Sequence, residues 1–236
     1  MSPYHGSGPG EITPDGCAVE FYDLLPPMGE AEIVHAALPA GASILELGCG
    51  TGRILRPLAD LGHPVMGVDE SPAMLERLGE LPAVRDRIET VRLGRVFDAV
   101  LLASTMINTD PAQRRAFLRT CREHLAPNGT AVFQRTAPDW FDTAQPTAHE
   151  HDGIRRVVRE VHRDGPCVDV VIDYHVGERT WTHAFSRHPV DGAELAGDLA
   201  EADLTLGRWL TDDRTWFTAT PRTPRTPRTP RTPRTH

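Results

Sequence analysis

The 236-residue chain contains no lysine; all 25 of its basic residues are arginine. That excludes Schiff-base and lysine-nucleophile chemistry, and it reads as GC-rich codon usage. Aromatic residues make up only 6% of the chain, leaving no evident platform on which nucleic-acid bases could stack. Cys17, Cys49, Cys121 and Cys167 are widely spaced, without a Cys-x-x-Cys pair. Reduced thiols in a cytoplasmic protein are therefore expected, not a zinc site or a disulfide framework. The histidines show no metal-ligand spacing, so no metal is expected. The longest apolar run, Ala99–Ala103, is far short of the ~20 residues that span a bilayer. The opening Met-Ser-Pro-Tyr-His-Gly lacks the apolar core of a secretory signal. Positive charge is scarce outside the C-terminus. The formal net charge is −8, and the five arginines of 221–236 are opposed by no acid, so residues 1–220 carry −13. Such an acidic body argues against a nucleic-acid partner, and nothing points to a membrane partner.

What is present centres on Ile44–Arg53, Ile-Leu-Glu-Leu-Gly-Cys-Gly-Thr-Gly-Arg. A short apolar run, alternating glycines and a helix start form the turn with which a parallel sheet brings bare backbone up to a nucleotide-like ligand. Around it, strands are predicted at 43–47, 64–68, 88–93, 97–102 and 130–134. Helices are predicted at 30–37, 53–61, 72–78 and 111–125, with Ser71 and Asp110 as N-caps followed by prolines. This alternation predicts a doubly wound α/β sheet. Residues 154–162, 167–176 and 179–187 alternate polar and apolar between Gly-containing turns, which predicts a three-stranded antiparallel meander. A helix near 193–202 and strands near 204–210 and 215–219 return to the main sheet. Five organisational units follow: a cap segment (1–28), an α/β core (29–149), an insert (150–190), a return to the core (191–219) and a Pro-Arg-Thr tail (220–236). The tail is low-complexity, has nothing apolar to bury, and is expected to be dispensable for activity.

The segments Leu45–Arg53, Gly67–Leu75, Phe97–Val100 and His124–Gly129 resemble, in order and spacing, the class I S-adenosylmethionine-dependent methyltransferases. The wording is most similar to small-molecule enzymes of actinobacterial secondary metabolism. The resemblance implies a Rossmann-like sheet with an antiparallel lid insert, S-adenosyl-L-methionine as cofactor with S-adenosyl-L-homocysteine as product, and a small-molecule acceptor. It implies that Gly48, Cys49 and Gly50 present backbone to the methionine moiety. Glu46 would receive its ammonium, and Arg53 would pair with its carboxylate or lie on a solvent face. Asp69 would grip the ribose hydroxyls, while Glu70 and Met74 would line the adenine or serve surface and core. Relatives often carry an Asp after the third strand to read the adenine. With that strand at 88–93 no such residue follows, and the backbone of Leu93 and Gly94 is left to do it. Asp98 is expected to fix the start of the fourth strand, and Ser104 to face the cofactor.

Tyr22 stands where relatives place an aromatic over the cofactor, and it is equally compatible with core packing. Methyl transfer is an in-line displacement in which positioning supplies much of the acceleration, with a base where the acceptor must lose a proton. Candidate bases are Glu20, His149, His151, His175 and His183; the two histidines of the lid strands and Glu20, together with Tyr22, form the catalytic candidates. Tyr4 and His5 could close over the acceptor. Trp140, Phe141 and Trp181 could form an aromatic pocket or simply lid core. The acceptor is expected to be an aromatic heterocycle or an amine, with C-, N- and O-methylation open. The oligomeric state is open too, a homodimer included. The alternatives are a cofactor-binding but inactive regulatory subunit, an RNA methylase using the basic tail, and an NAD-dependent oxidoreductase. Arg53 disfavours the last, because that fingerprint needs a third glycine there.

Overall fold

The structure is a computed structural model, described here for residues 4–190 and 192–222. Beyond Arg222 the predicted Pro-Arg-Thr tail lies outside the described residues. The chain begins with β1 (His5–Ser7), α1 (Val19–Leu24) and α2 (Glu30–Ala37). The core then alternates β2 (Ile44–Leu47), α3 (Leu55–Asp60), β3 (Val65–Asp69), α4 (Pro72–Leu78), β4 (Ala83–Arg85), β5 (Phe97–Leu102), α5 (Pro111–Glu123) and β6 (Leu125–Gln134). A short α6 (Trp140–Thr143) leads to β7 (Thr147–His151), β8 (Ile154–Asp164), β9 (Cys167–Val176) and β10 (Arg179–Arg187). The chain ends with α7 (Gly192–Glu201), β11 (Leu204–Trp209) and β12 (Trp216–Pro221).

The main sheet has the order β11-β12-β6-β5-β2-β3-β4. The five strands from β6 to β4 run parallel, and β12 and β11 add antiparallel at the edge. Strand β2 is apolar except for Glu46 and is buried throughout, as a central parallel strand covered on both faces must be. The order reverses beside β2, because β3 follows on one side and β5 lies on the other. Ligands of doubly wound folds bind at such a switch point, beyond the carboxyl ends of the strands. Caps act as their residue types dictate. Ser71 Oγ accepts the Met74 N–H, and Asp110 accepts those of Ala112 and Gln113. Asp98 ties β5 to β2, its carboxylate accepting both the N–H and the hydroxyl of Ser43.

The third parallel strand is displaced from its expected place. Residues 88–93 form a turn and an irregular segment, and the strand is β4, five residues earlier. Ile88 and Val91 are buried anchors of that segment, so their apolar spacing imitates a strand. β4 is a three-residue edge strand without a buried position, which leaves no periodic signal.

The antiparallel insert is present and larger than three strands. Its sheet runs β1-β10-β9-β8-β7. The extra strands, Thr147–His151 and the N-terminal His5–Ser7, are polar and mostly exposed, so no alternation announces them. Because β1 pairs with β10, the chain's start is built into the roof over the main sheet.

One side chain clasps both ends of the insert. Asn108 is fully buried; its Oδ1 accepts the Thr136 N–H at 2.6 Å and its Nδ2 donates to the His188 carbonyl at 2.9 Å. Asn108→Ala strands both partners and is expected to cost about 2 kcal/mol, read as a lowered denaturant midpoint at unchanged m-value.

Candidate active site

A cavity of about 470 Å³ opens at the carboxyl ends of β2, β3, β4 and β5, beneath the N-terminal segment and β10. Its floor is the glycine turn. Gly48 adopts φ +71° with its N–H bonded to the Val68 carbonyl, and a Cβ there would lie 2.5 Å from Met106 Sδ. Gly52 adopts φ +84°, and a Cβ there would meet Leu78 Cδ1 at 2.3 Å. Glycine is required at both positions for conformation and for space.

Three acids end the neighbouring strands and line this floor. Glu46 is buried, and its Oε2 has no hydrogen-bond partner among the described residues. Burial pushes its carboxyl up to about 8, against the pull of Arg53. Asp69 accepts the Gly50 N–H on Oδ2 at 2.8 Å and the Ser71 N–H on Oδ1 at 2.9 Å. Burial outweighs these two bonds and raises its carboxyl, and Asp69 lines the cavity. Asp86 follows β4 directly and also lines the cavity. An acid therefore does follow the third parallel strand, contrary to the expectation that none would, because the strand lies earlier than the sequence suggested.

Tyr22, Glu46, Gly48, Cys49, Gly50, Arg53, Asp69, Glu70, Met74, Ser104 and His183 all line the cavity. Arg53 is held by an ion pair with buried Glu30 through Nη1. Leu93 and Gly94 are not there. The Leu93 N–H donates to His124 Nε2 on the far side of the irregular segment, and Gly94 faces open space. Glu20 is outside too, packed against Gly10 and 3.8 Å from Arg179. His175 pairs across the sheet with Thr180, to which its Nδ1 is bonded, whereas His183 pairs with Ile172. Positions an odd number of residues apart face opposite ways, so His175 lies on the outer face and His183 on the inner.

His149 and His151 are exposed on β7, and His5 is exposed on β1. Trp181 is fully buried against Ala18 and Phe21, its indole N–H on the Pro9 carbonyl, while Trp140 and Phe141 pack in the lid core. None of these six lines the cavity; the rings of Trp181, Trp140 and Phe141 fill the seam between lid and N-terminal segment or the lid's own interior.

The upper half of the cavity is instead lined by Tyr4, Tyr22, Met106, His183, Phe185 and Arg187. Burial holds the Tyr22 phenol well above its usual range, so it stays protonated and cannot act as a base. The buried His183 imidazole is pushed down by desolvation and stays neutral near pH 7; its Nε2 lies 3.3 Å from the Asp15 carbonyl. Ser104 and Thr105 sit at φ +52° and +57°, a left-handed pair at the end of β5. That is costly for a β-branched residue and is concentrated at functional rims. The Ser104 N–H is held by Gln134 and the Thr105 carbonyl by Arg187. Sequence reasoning missed Asp86, Thr105 and Arg187. Only Arg187 left a trace, since it shares the alternation of His183 and Phe185.

Comparison with known proteins agrees with this geometry. Residues 44–129 match the family model described as a methyltransferase domain. The chain is 30% identical to a dTDP-4-amino-2,3,4,6-tetradeoxy-D-glucose N,N-dimethyltransferase of Saccharopolyspora spinosa, over 67% of this chain and 68% of that protein. Among solved structures, an S-adenosylmethionine-dependent methyltransferase from Clostridium acetobutylicum superposes with a TM-score of 0.71 at 14% identity, covering 86% of this chain and 95% of the other. An amino pentose methyltransferase from Micromonospora echinaspora, solved with the cofactor bound, gives 0.65 at 26% identity, covering 87% and 92%. The site suits that cofactor: a buried carboxylate oxygen without a partner among the described residues can meet a cation, and Gly48, Cys49 and Gly50 of the turn line the cavity. Sequence, fold and cavity agree, and the chain belongs to the S-adenosylmethionine-dependent methyltransferases.

Proposed function

We propose that this protein methylates an amino group of a small-molecule acceptor, the acceptor entering beneath β10. The observation that carries the reading is the neutral, buried His183 on the inner lid face, above a floor lined by Glu46, Asp69, Glu70 and Asp86. Two of the three proteins named above, those of Saccharopolyspora spinosa and Micromonospora echinaspora, are amino-sugar methyltransferases, which supports an amine and favours an amino sugar. When bound, S-adenosylmethionine supplies a methyl group on a cationic sulfur. In this reading Glu46 receives its ammonium, Asp69 its ribose hydroxyls and Asp86 its adenine amino group. The acidic floor favours cationic groups, and Tyr22 offers a ring face or hydroxyl beside the sulfonium. With Nε2–H donating to the Asp15 carbonyl, the neutral His183 ring keeps a bare Nδ1, and it is Nδ1 that takes the proton the amine must lose at pH 7.

Two measurements test this. A panel of amino sugars and other small amines, free and nucleotide-linked, is expected to give acceptor-dependent release of S-adenosylhomocysteine. Tight cofactor binding with no turnover on any amine would leave the inactive-subunit alternative standing. His183→Asn is expected to lower kcat by about 100-fold with little change in cofactor affinity. It also removes the acidic limb of the wild-type pH profile, which lies below the ordinary histidine value because burial depresses this imidazole. An unchanged limb would assign the base elsewhere.

A further inference from the structure

Three arginines line the cavity. Arg53 is paired with Glu30 and Arg87 with Glu89. Arg187 forms no ion pair among the described residues. Its guanidinium, at the inner end of β10, donates through Nη1 to the Thr105 carbonyl at 3.0 Å and stacks over Phe185 with 4.7 Å to the ring centroid. The titratable groups facing it from adjoining elements are the phenols Tyr4, Tyr22 and Tyr174 and the thiol Cys17. All four are held neutral by burial. Desolvation weighs on the guanidinium, and no carboxylate among the described residues pairs with it. An enclosed cation with one carbonyl acceptor leaves most of its five N–H donors to be satisfied from the cavity.

We infer that Arg187 receives an oxyanion, a carboxylate or a phosphate, carried by the methyl acceptor. Phe185 fixes the plane of the guanidinium, and the Thr105 carbonyl fixes one edge. The opposite edge is then presented as a ready-made fork for two oxygens. The acceptor thereby spans the cavity, its anion on Arg187 and its amine over the acidic floor. This inference rests on the amine reading for the acceptor's other end, but anion capture can be tested apart from it.

The experiment is calorimetric titration of the full chain, saturated with S-adenosylhomocysteine, using inorganic pyrophosphate and separately succinate as probes. Millimolar or tighter binding of at least one probe is expected, and the preferred probe distinguishes phosphate from carboxylate. Arg187→Gln is expected to weaken that probe about tenfold or more while S-adenosylhomocysteine affinity stays unchanged, which also reports an intact fold. Arg187→Lys keeps the charge and the bond to Thr105 but loses the fork, and is expected to recover only part of the affinity. Absence of binding for both probes, or equal binding by wild type and Arg187→Gln, overturns the inference. Arginine-dependent anion binding without turnover of any amine would instead sink the amine reading alone.

Discussion

Glu46→Gln weakens S-adenosylhomocysteine binding by about 100-fold and at the same time stabilises the cofactor-free protein at alkaline pH. Both effects follow from one buried carboxyl whose Oε2 has no partner among the described residues. A charged hydrogen bond lost from a dry site is worth about 1.5–3 kcal/mol, which sets the loss of affinity. The stability effect has the opposite sign. Burial lifts the folded-state pKa of Glu46 from 4.5 to about 8. Across that interval the folded protein binds more protons than the unfolded chain, so wild-type stability falls as pH rises from about 4.5 to about 8. Glutamine does not titrate and escapes the fall. At pH 8.5 the variant should therefore melt above wild type without cofactor and below it with cofactor. Linkage adds a second signature. A cation at Glu46 needs the carboxylate, so wild-type affinity is expected to rise between pH 6 and pH 8 by up to about tenfold per unit, with proton release visible as a buffer-dependent heat. An affinity independent of pH, equal in wild type and variant, would remove Glu46 from the cofactor site.

Arg114→Met costs about 3–5 kcal/mol, the largest stability loss expected of any single change here. Arg114 is fully buried on α5, with Nε donating to Asp198 at 2.6 Å and Nη2 paired with Glu194, both on α7. Without it, the nearly buried Asp198 keeps only Arg115, at 3.3 Å, and becomes an under-compensated interior charge. Arg114 Nη1 has no partner among the described residues, so the desolvation of the guanidinium is not fully repaid. The double variant Arg114→Met/Asp198→Leu should consequently recover most of the loss. α5 also carries Gln113 and Phe117 on the cavity wall, which ties this network to the site. Chemical denaturation of the two variants checks the ordering, and a single variant within about 1 kcal/mol of wild type would contradict it.

The parallel core was legible because its signals are local. The glycine turn, the Ser71 and Asp110 caps and the acid ending β3 each declare themselves within a few residues. β4 and Asp86 were not legible, because a three-residue edge strand has no period, whereas the neighbouring Ile88 and Val91 show a false one. The outward turn of His175 was equally hidden. Alternation along β9 and β10 was evident, but which face turns inward depends on packing against α1 and the N-terminal segment. Trp140, Phe141 and Trp181 illustrate the same gap, since a ring in a lid is an equally good core residue until its neighbours are known.

By itself, then, the sequence determined the fold class, the methyl donor and the residues of the glycine turn, because a strand, a tight turn and a helix start are short-range events written by residue type. Only the tertiary structure decided that the chain's first strand joins the lid, that His183 and Arg187 face inward while His175 faces out, and that Asp86 completes the floor. Each of these depends on strand register and on contacts between segments far apart in sequence, and the side-chain period of two turns a one-residue difference into the opposite face of the sheet.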